Sequence, residues 1–145
     1  MVIEYLSRIK RLNMMINNKM IELDELKNIA TSFGSLTCDE KVITSKPEDK
    51  ISAVVSKIVD MEKDIDKMID LYTDEKKKII SMIDNIKKDE YYNVLSLKYV
   101  HSMSNKEIAN RMNYSTKQIK RIHTKAIQEF YRMYHEEIDK YENMS

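Results

Sequence analysis

The chain has 145 residues, 34% charged and 42% hydrophobic, with one Gly, one Pro, one Cys and no Trp, where an average chain of this length holds ~10 Gly and ~7 Pro. Phosphate-cradling loops, tight hairpin turns and multi-stranded sheets all draw on glycine, so dinucleotide-binding, P-loop and β-sandwich designs are excluded and an all-α protein remains. Basic and acidic residues number 25 and 24; net charge therefore favours neither nucleic acid nor membrane, and only its distribution can.

The N-terminal stretch mixes Glu4, Arg8, Lys10 and Arg11 with its apolar residues, unlike the apolar core of a signal peptide. No run approaches the ~18 apolar residues of a membrane span. A soluble, cytoplasmic protein is expected, with no membrane partner. Read in steps of seven, Val2, Ile9, Ile16, Leu23 and Ala30 form one seam and Tyr5, Leu12, Lys19, Leu26 and Phe33 a second, the heptad pattern of a helix that packs along a partner. The period lapses between Thr31 and Lys46, where Ser, Thr and the single Gly accumulate, so 31–46 reads as a loop.

Ser45, Pro47 and Glu48 then form a helix start, with Ser45 as cap, Pro47 in the first turn and Glu48 closing an S-x-x-E box. From there Ile51, Ile58, Ile65, Tyr72, Ile79 and Ile86 keep seven-residue spacing, with Val54, Met61, Met68 and Met82 on the second seam and Glu75 as its one break. A helix from about Pro47 to Lys88 spans ~60 Å, longer than the first helix can cover. Residues 1–89 are thus expected to form an antiparallel coiled-coil hairpin that oligomerises, most simply as a homodimer. The mixed charges on the outer faces, Lys76–Lys78 among them, read as solvated surface, and the Ile, Leu and Met seams as core.

Nothing along the chain assembles a catalytic or metal-binding set. Cys38 has no partner for a disulfide, and His101, His123 and His135 lack the spacing of a zinc site. No activated nucleophile and no His–carboxylate pair is evident, so neither an enzyme nor a cofactor is expected.

After Asp89 the period and the charge both change. Between Lys98 and Arg132 there are eight basic residues against two acidic ones, whereas 133–145 carries four acidic residues against Lys140 and reads as an acidic tail. A basic helical module at 90–132 is the electrostatic footprint of a nucleic-acid contact. Two capping boxes, Ser104 with Glu107 and Ser115 with Gln118, start helices eleven residues apart. The first helix must therefore be short and end near Asn113, a residue that accepts left-handed backbone, and the pair reads as a helix-turn-helix.

Ile108, Ala109 and Met112 face Ile119, Ile122 and Ala126 across the turn, with Tyr91, Val94, Leu95 and Tyr99 on a preceding helix. The opposite face of the second helix offers Lys117, Lys120, Arg121 and Thr124 in one stripe, with Ser115 and Thr116 at its start and Lys125 beside it. Lys106 lies on the first helix. A cationic stripe there suits the major groove of double-stranded DNA. His123 beside it is expected to be partly buried, and Phe130, Tyr131, Tyr134 and Tyr141 to continue an amphipathic helix.

The run from Tyr92 through Phe130, with NVLSLKYV and then SNKEIANRMNYSTKQIKRIHTKAIQEF, resembles region four of bacterial sigma factors, the part that reads an upstream promoter element. With its long middle helix containing KIVDMEKDIDKMID, the whole chain also resembles the RinA/ArpU/LtrC-like transcriptional activators encoded by phages. The resemblance implies regulation of phage genes, commonly late ones, with promoter DNA and RNA polymerase holoenzyme as partners. It puts Thr116, Lys117, Lys120 and Arg121 at the positions that face bases and phosphates. Asn113 stands where the sigma pattern has Gly, and nothing in the chain resembles the sigma regions that melt DNA, so a complete sigma factor is not implied. Two other readings share these features: a phage DNA-packaging recognition subunit, and a protein that binds polymerase or another regulator without DNA.

Overall fold

A computed structural model describes residues 1–36 and 47–144, with the side chains of 33–36, 47 and 48 left aside. Cys38 and the Ser45 cap lie outside the described residues. The elements are α1 (Val2–Leu36), α2 (Pro47–Asp84), α3 (Asp89–Leu95), a π-helical turn (Ser96–Val100), α4 (Asn105–Met112) and α5 (Thr116–Met144). Among the described residues the protein is all-α, as its glycine poverty requires. Helix α1 runs on to Leu36, past the expected boundary at 31. At 35 residues it nearly matches the 38 of α2, so unequal length does not leave the long seam uncovered.

The chain divides into two compact units, Met1–Leu12 with Tyr72–Ser145, and Asn13–Leu71. In the first, the start of α1, the end of α2 and the second half of α5 enclose one core of Tyr5, Leu6, Ile9, Ile79, Ile83, Ile86, Phe130 and Ile138. Tyr5 ties all three together. Its hydroxyl reaches the Met82 sulfur at 3.5 Å, and its ring lies 6.3 Å from that of Phe130 and edge-on to Tyr141 at 5.4 Å. Packing therefore does not respect a boundary at 89/90, because the seam residues of α1 and α2 are the floor on which α5 rests.

Glu75, the break in the second seam, forms an ion pair with Arg8, and the Arg8 guanidinium also sits over the Tyr5 ring at 4.1 Å. The apparent flaw in the pattern is a paired charge. The stretch expected to be an acidic tail is helical to Met144: Ile138 is buried, and Tyr141 packs on the core while Glu136, Glu137 and Asp139 face solvent. Helix α5 is kinked at Tyr134 (φ −130°, ψ 25°). There the Tyr134 hydroxyl donates to the Met82 carbonyl at 2.8 Å and accepts from Asn85 at 3.2 Å, holding the bend against the end of α2.

Among the described residues the second unit holds parts of α1 and α2. Of these, Ile16 and Ile65 are buried, and Leu23, Leu26, Ile51, Val54, Ile58, Met61 and Met68 are half-buried along the seams. Lys27 and Glu62 pair across it at 3.3 Å, both half-exposed, a contact worth little in water.

Candidate nucleic-acid interface

A second, smaller core builds the basic module. Val94 of α3, Ile108 and Ala109 of α4 and Ile119 of α5 are buried together, with Leu97, Met103, Met112, Tyr114 and Ile122 around them. Alanine at 109 lets the helices approach. Helix α4 begins at Ser104, whose hydroxyl accepts the Glu107 N–H at 3.2 Å, and ends at Asn113, in left-handed backbone at φ 59°, ψ 40°. The Tyr114 N–H closes on the Ala109 carbonyl at 3.0 Å, and the Tyr114 hydroxyl donates to Glu90 at 3.2 Å. Helix α5 then starts on a reciprocal cap: Gln118 N–H to the Ser115 hydroxyl at 3.1 Å, and Ser115 N–H to the Gln118 side-chain oxygen at 2.8 Å. Two of the four orphan donors at this helix start are thereby satisfied.

The π-helical turn between α3 and α4 has no counterpart in the sequence expectations. It closes with the His101 N–H on the Ser96 carbonyl at 3.1 Å, and the chain leaves it through Ser102 at φ 55°. The widened turn carries Lys98 and Tyr99. The Lys98 ammonium donates to Asn105 at 2.9 Å, and partial burial holds its pKa below the usual lysine value. The Tyr99 hydroxyl lies 2.5 Å from His123 Nε2 on α5. Burial first, and the Lys98 charge second, press the His123 pKa down to about 4, while burial pushes Tyr99 up to about 12. At neutral pH an un-ionised phenol therefore meets an uncharged imidazole, and the tautomer of the ring sets which of the two donates. His123 is a half-buried strut that fixes α5 against the π turn.

Every residue expected at the site is exposed: Lys106, Ser115, Thr116, Lys117, Lys120, Arg121, Thr124 and Lys125. Among the described residues no ion pair involves Lys106, Lys117, Lys120, Arg121 or Lys125. Two of the eight have local work. The Ser115 hydroxyl is the cap, and the Thr124 hydroxyl donates to the Lys120 carbonyl at 3.0 Å. Lys117, Lys120, Arg121 and Lys125 are the cations α5 offers to solvent in its first three turns. The face is convex. An open groove of about 610 Å³ nearby is lined by Glu90, Asn93, Arg111 and Tyr114 and includes none of the eight.

The outer face of α5 also runs further than the expected stripe. Gln128, Tyr131 and His135 follow Lys117, Arg121 and Thr124 at helical spacing and are exposed; the signal was the same three-and-four periodicity carried about three turns on. Tyr131 donates to Asp139 at 3.2 Å, and Arg132 is held by Glu129 at 2.6 Å, so the charge of Arg132 is already answered. Phe130 is buried, and Tyr134 and Tyr141 pack on the core.

Among the described residues no helix is long and apolar enough to cross a membrane, and no group of three or more His, Cys, Asp or Glu residues could hold a metal ion. No curated protein and no solved structure matches the chain. Residues 34–131, from the end of α1 to the outer face of α5, match the family model described as "Protein of unknown function (DUF1492)", and the chain belongs to that family.

Proposed function

We propose that this protein is a sequence-specific DNA-binding regulator of transcription, in which α4, the Asn113 turn and α5 act as a helix-turn-helix and the first turns of α5 enter the major groove. The observation that carries the reading is the unpaired cationic face of α5, Lys117, Lys120, Arg121 and Lys125, exposed on a helix whose opposite side is fixed by two cores. Cations held away from any carboxylate by rigid packing are prepared for phosphates and guanine edges, at little ordering cost. Lys106 reaches the backbone from α4, and Thr116 stands at the entry of the helix. The finer reading is an activator of the RinA/ArpU/LtrC-like kind, acting in the bacterial cytoplasm on phage promoters beside RNA polymerase holoenzyme. It rests on the sequence resemblance and on the same face.

Selection of bound duplexes from a random pool, followed by affinity measurements at two salt concentrations, tests the proposal. A recovered motif whose affinity falls steeply with salt, and falls again when Lys117, Lys120 and Arg121 are replaced together by Ala, is the expected result. Absence of binding to any duplex at low salt overturns it.

A further inference from the structure

We propose that Asn13–Leu71 is completed by a second copy of the same segment, making the protein a homodimer joined along its two long helices. The argument rests on one heptad position with two fates. The residue following each member of the second seam is Leu6 in α1, and Lys76 and Ile83 in α2, within the first unit. There Leu6 and Ile83 are 0% and 1% exposed, enclosed in the cluster that contains Ala126, Phe130 and Ile138 of α5. A third helix covers them. Among the described residues of Asn13–Leu71 the same position holds Asn13, Met20 and Lys27 in α1 and Val55, Glu62 and Ile69 in α2, and its apolar members Met20, Val55 and Ile69 are 49%, 46% and 40% exposed.

Two helices cannot dry such a stripe. Nine of the thirteen exposed large apolar side chains among the described residues belong to Asn13–Leu71, against two buried ones, Ile16 and Ile65. A helix pair with so little enclosed surface draws its stability from packing it lacks within itself. The chemistry of the stripe selects the occupant. Its charged members, Lys27 and Glu62, already pair with each other at 3.3 Å, and its other polar member, Asn13, is uncharged, so the stripe carries no net charge. A polyanion or an anionic bilayer would find no excess charge to engage. A second copy brings the same apolar stripe with the same internally answered pair, and a two-fold axis makes that stripe complementary to itself. The dimer would carry two α5 helices, as reading two half-sites requires; that consequence rests on the proposed DNA reading, whereas the association does not.

Sedimentation of the full chain without DNA, over a range of concentrations, is the test. The expected result is a species of twice 17.3 kDa, reduced to a monomer in V55D/I69D and retained in I21D, which alters an exposed apolar residue on the far side of α1 from the seam. Hydrogen exchange of the wild-type chain at low and high concentration guards against a variant that merely unfolds: protection in 13–71 should rise with concentration while that of the Phe130 core stays constant. A wild-type chain that remains monomeric with both long helices formed, a V55D/I69D chain that stays dimeric, or a ring of eight or more subunits overturns the proposal. Loss of DNA binding in a chain that still dimerises would instead refute the reading of α5.

Discussion

The Tyr99 hydroxyl and His123 Nε2 meet at 2.5 Å, joining the π turn after α3 to the first third of α5. Burial of the imidazole there, with the Lys98 charge beside it, sets a pH dependence. His123 is held at about 4 in the folded chain, below its ordinary value near 6.5, so between those values the unfolded chain binds a proton that the folded one does not. Stability is then fully present above pH ~6.5 and falls as the pH drops toward 4, after which this contribution is exhausted. In H123Q that slope should flatten, and Y99F, which removes the bond, should cost about 1 kcal/mol at neutral pH. Chemical denaturation at pH 7, 5.5 and 4.5 checks both; an unchanged slope in H123Q would place the acid sensitivity elsewhere.

Arg8 and Glu75 give a second, opposite pattern of single and double replacements. Their side chains are 13% and 25% exposed, and Arg8 is also stacked on Tyr5 at 4.1 Å. Glu75→Ala leaves a guanidinium among aromatic rings with no counter-charge and should destabilise the first unit by about 2 to 3 kcal/mol, less than a fully enclosed pair would lose. Arg8→Met with Glu75→Leu restores an apolar seam and should recover most of that loss. Urea midpoints of the three variants measure the difference, and a double variant as unstable as E75A would mean that the Arg8 stacking, not its pairing, carries the stability.

That pair shows where reading the sequence runs out. Seven-residue spacing exposes the seams of α1 and α2 because burial repeats locally, and Glu75 stands out against them; its partner lies 67 residues away, and no local spacing points to it. The caps at Ser104 and Ser115 are legible for the opposite reason, since donor and acceptor are three residues apart. The acidic face of 133–144 obscured its own other side, where Ile138 stands eight residues from Phe130 and both are buried. The exposed cations of α5 were legible as the complement of Ile119, Ile122 and Ala126. The π turn was not, because nothing in the composition of Ser96–Val100 distinguishes a widened turn from an α-helical one.

Among the described residues two that are not glycine sit in left-handed backbone, Ser102 at φ 55° and Asn113 at φ 59°. Asparagine tolerates the conformation better than serine does. Ser102→Gly should therefore stabilise by about 1 kcal/mol, and Asn113→Gly should be close to neutral. Asn113→Val forces a β-branched side chain into the turn and should cost ~2 kcal/mol. Thermal melts of the three variants test the ranking; an N113V chain as stable as wild type would show that the turn between α4 and α5 can take up another geometry.

On the proposed DNA-binding reading, the exposed cations of α5 divide by chemistry. Lysine presents a compact point charge suited to phosphate, whereas the fork of arginine can grip guanine O6 and N7 together. Lys117→Ala and Lys120→Ala should weaken binding to all duplexes alike, each lowering the slope of log affinity against log salt by about 0.9 where one phosphate contact is lost. Arg121→Ala should cost about 1 to 3 kcal/mol on the preferred site and relax discrimination at one base pair. Thr124 should behave differently from both, since its hydroxyl proton is committed to the Lys120 carbonyl at 3.0 Å. What it has left to offer DNA is a methyl group and an acceptor lone pair, so Thr124→Val should change affinity little where its methyl packs on a thymine and weaken it where the lone pair accepts from a cytosine or adenine amine. Affinities for preferred and scrambled duplexes at two salt concentrations separate these cases. Equal losses on both duplexes for Arg121→Ala would make Arg121 a phosphate contact and leave sequence reading to Thr116 and Thr124.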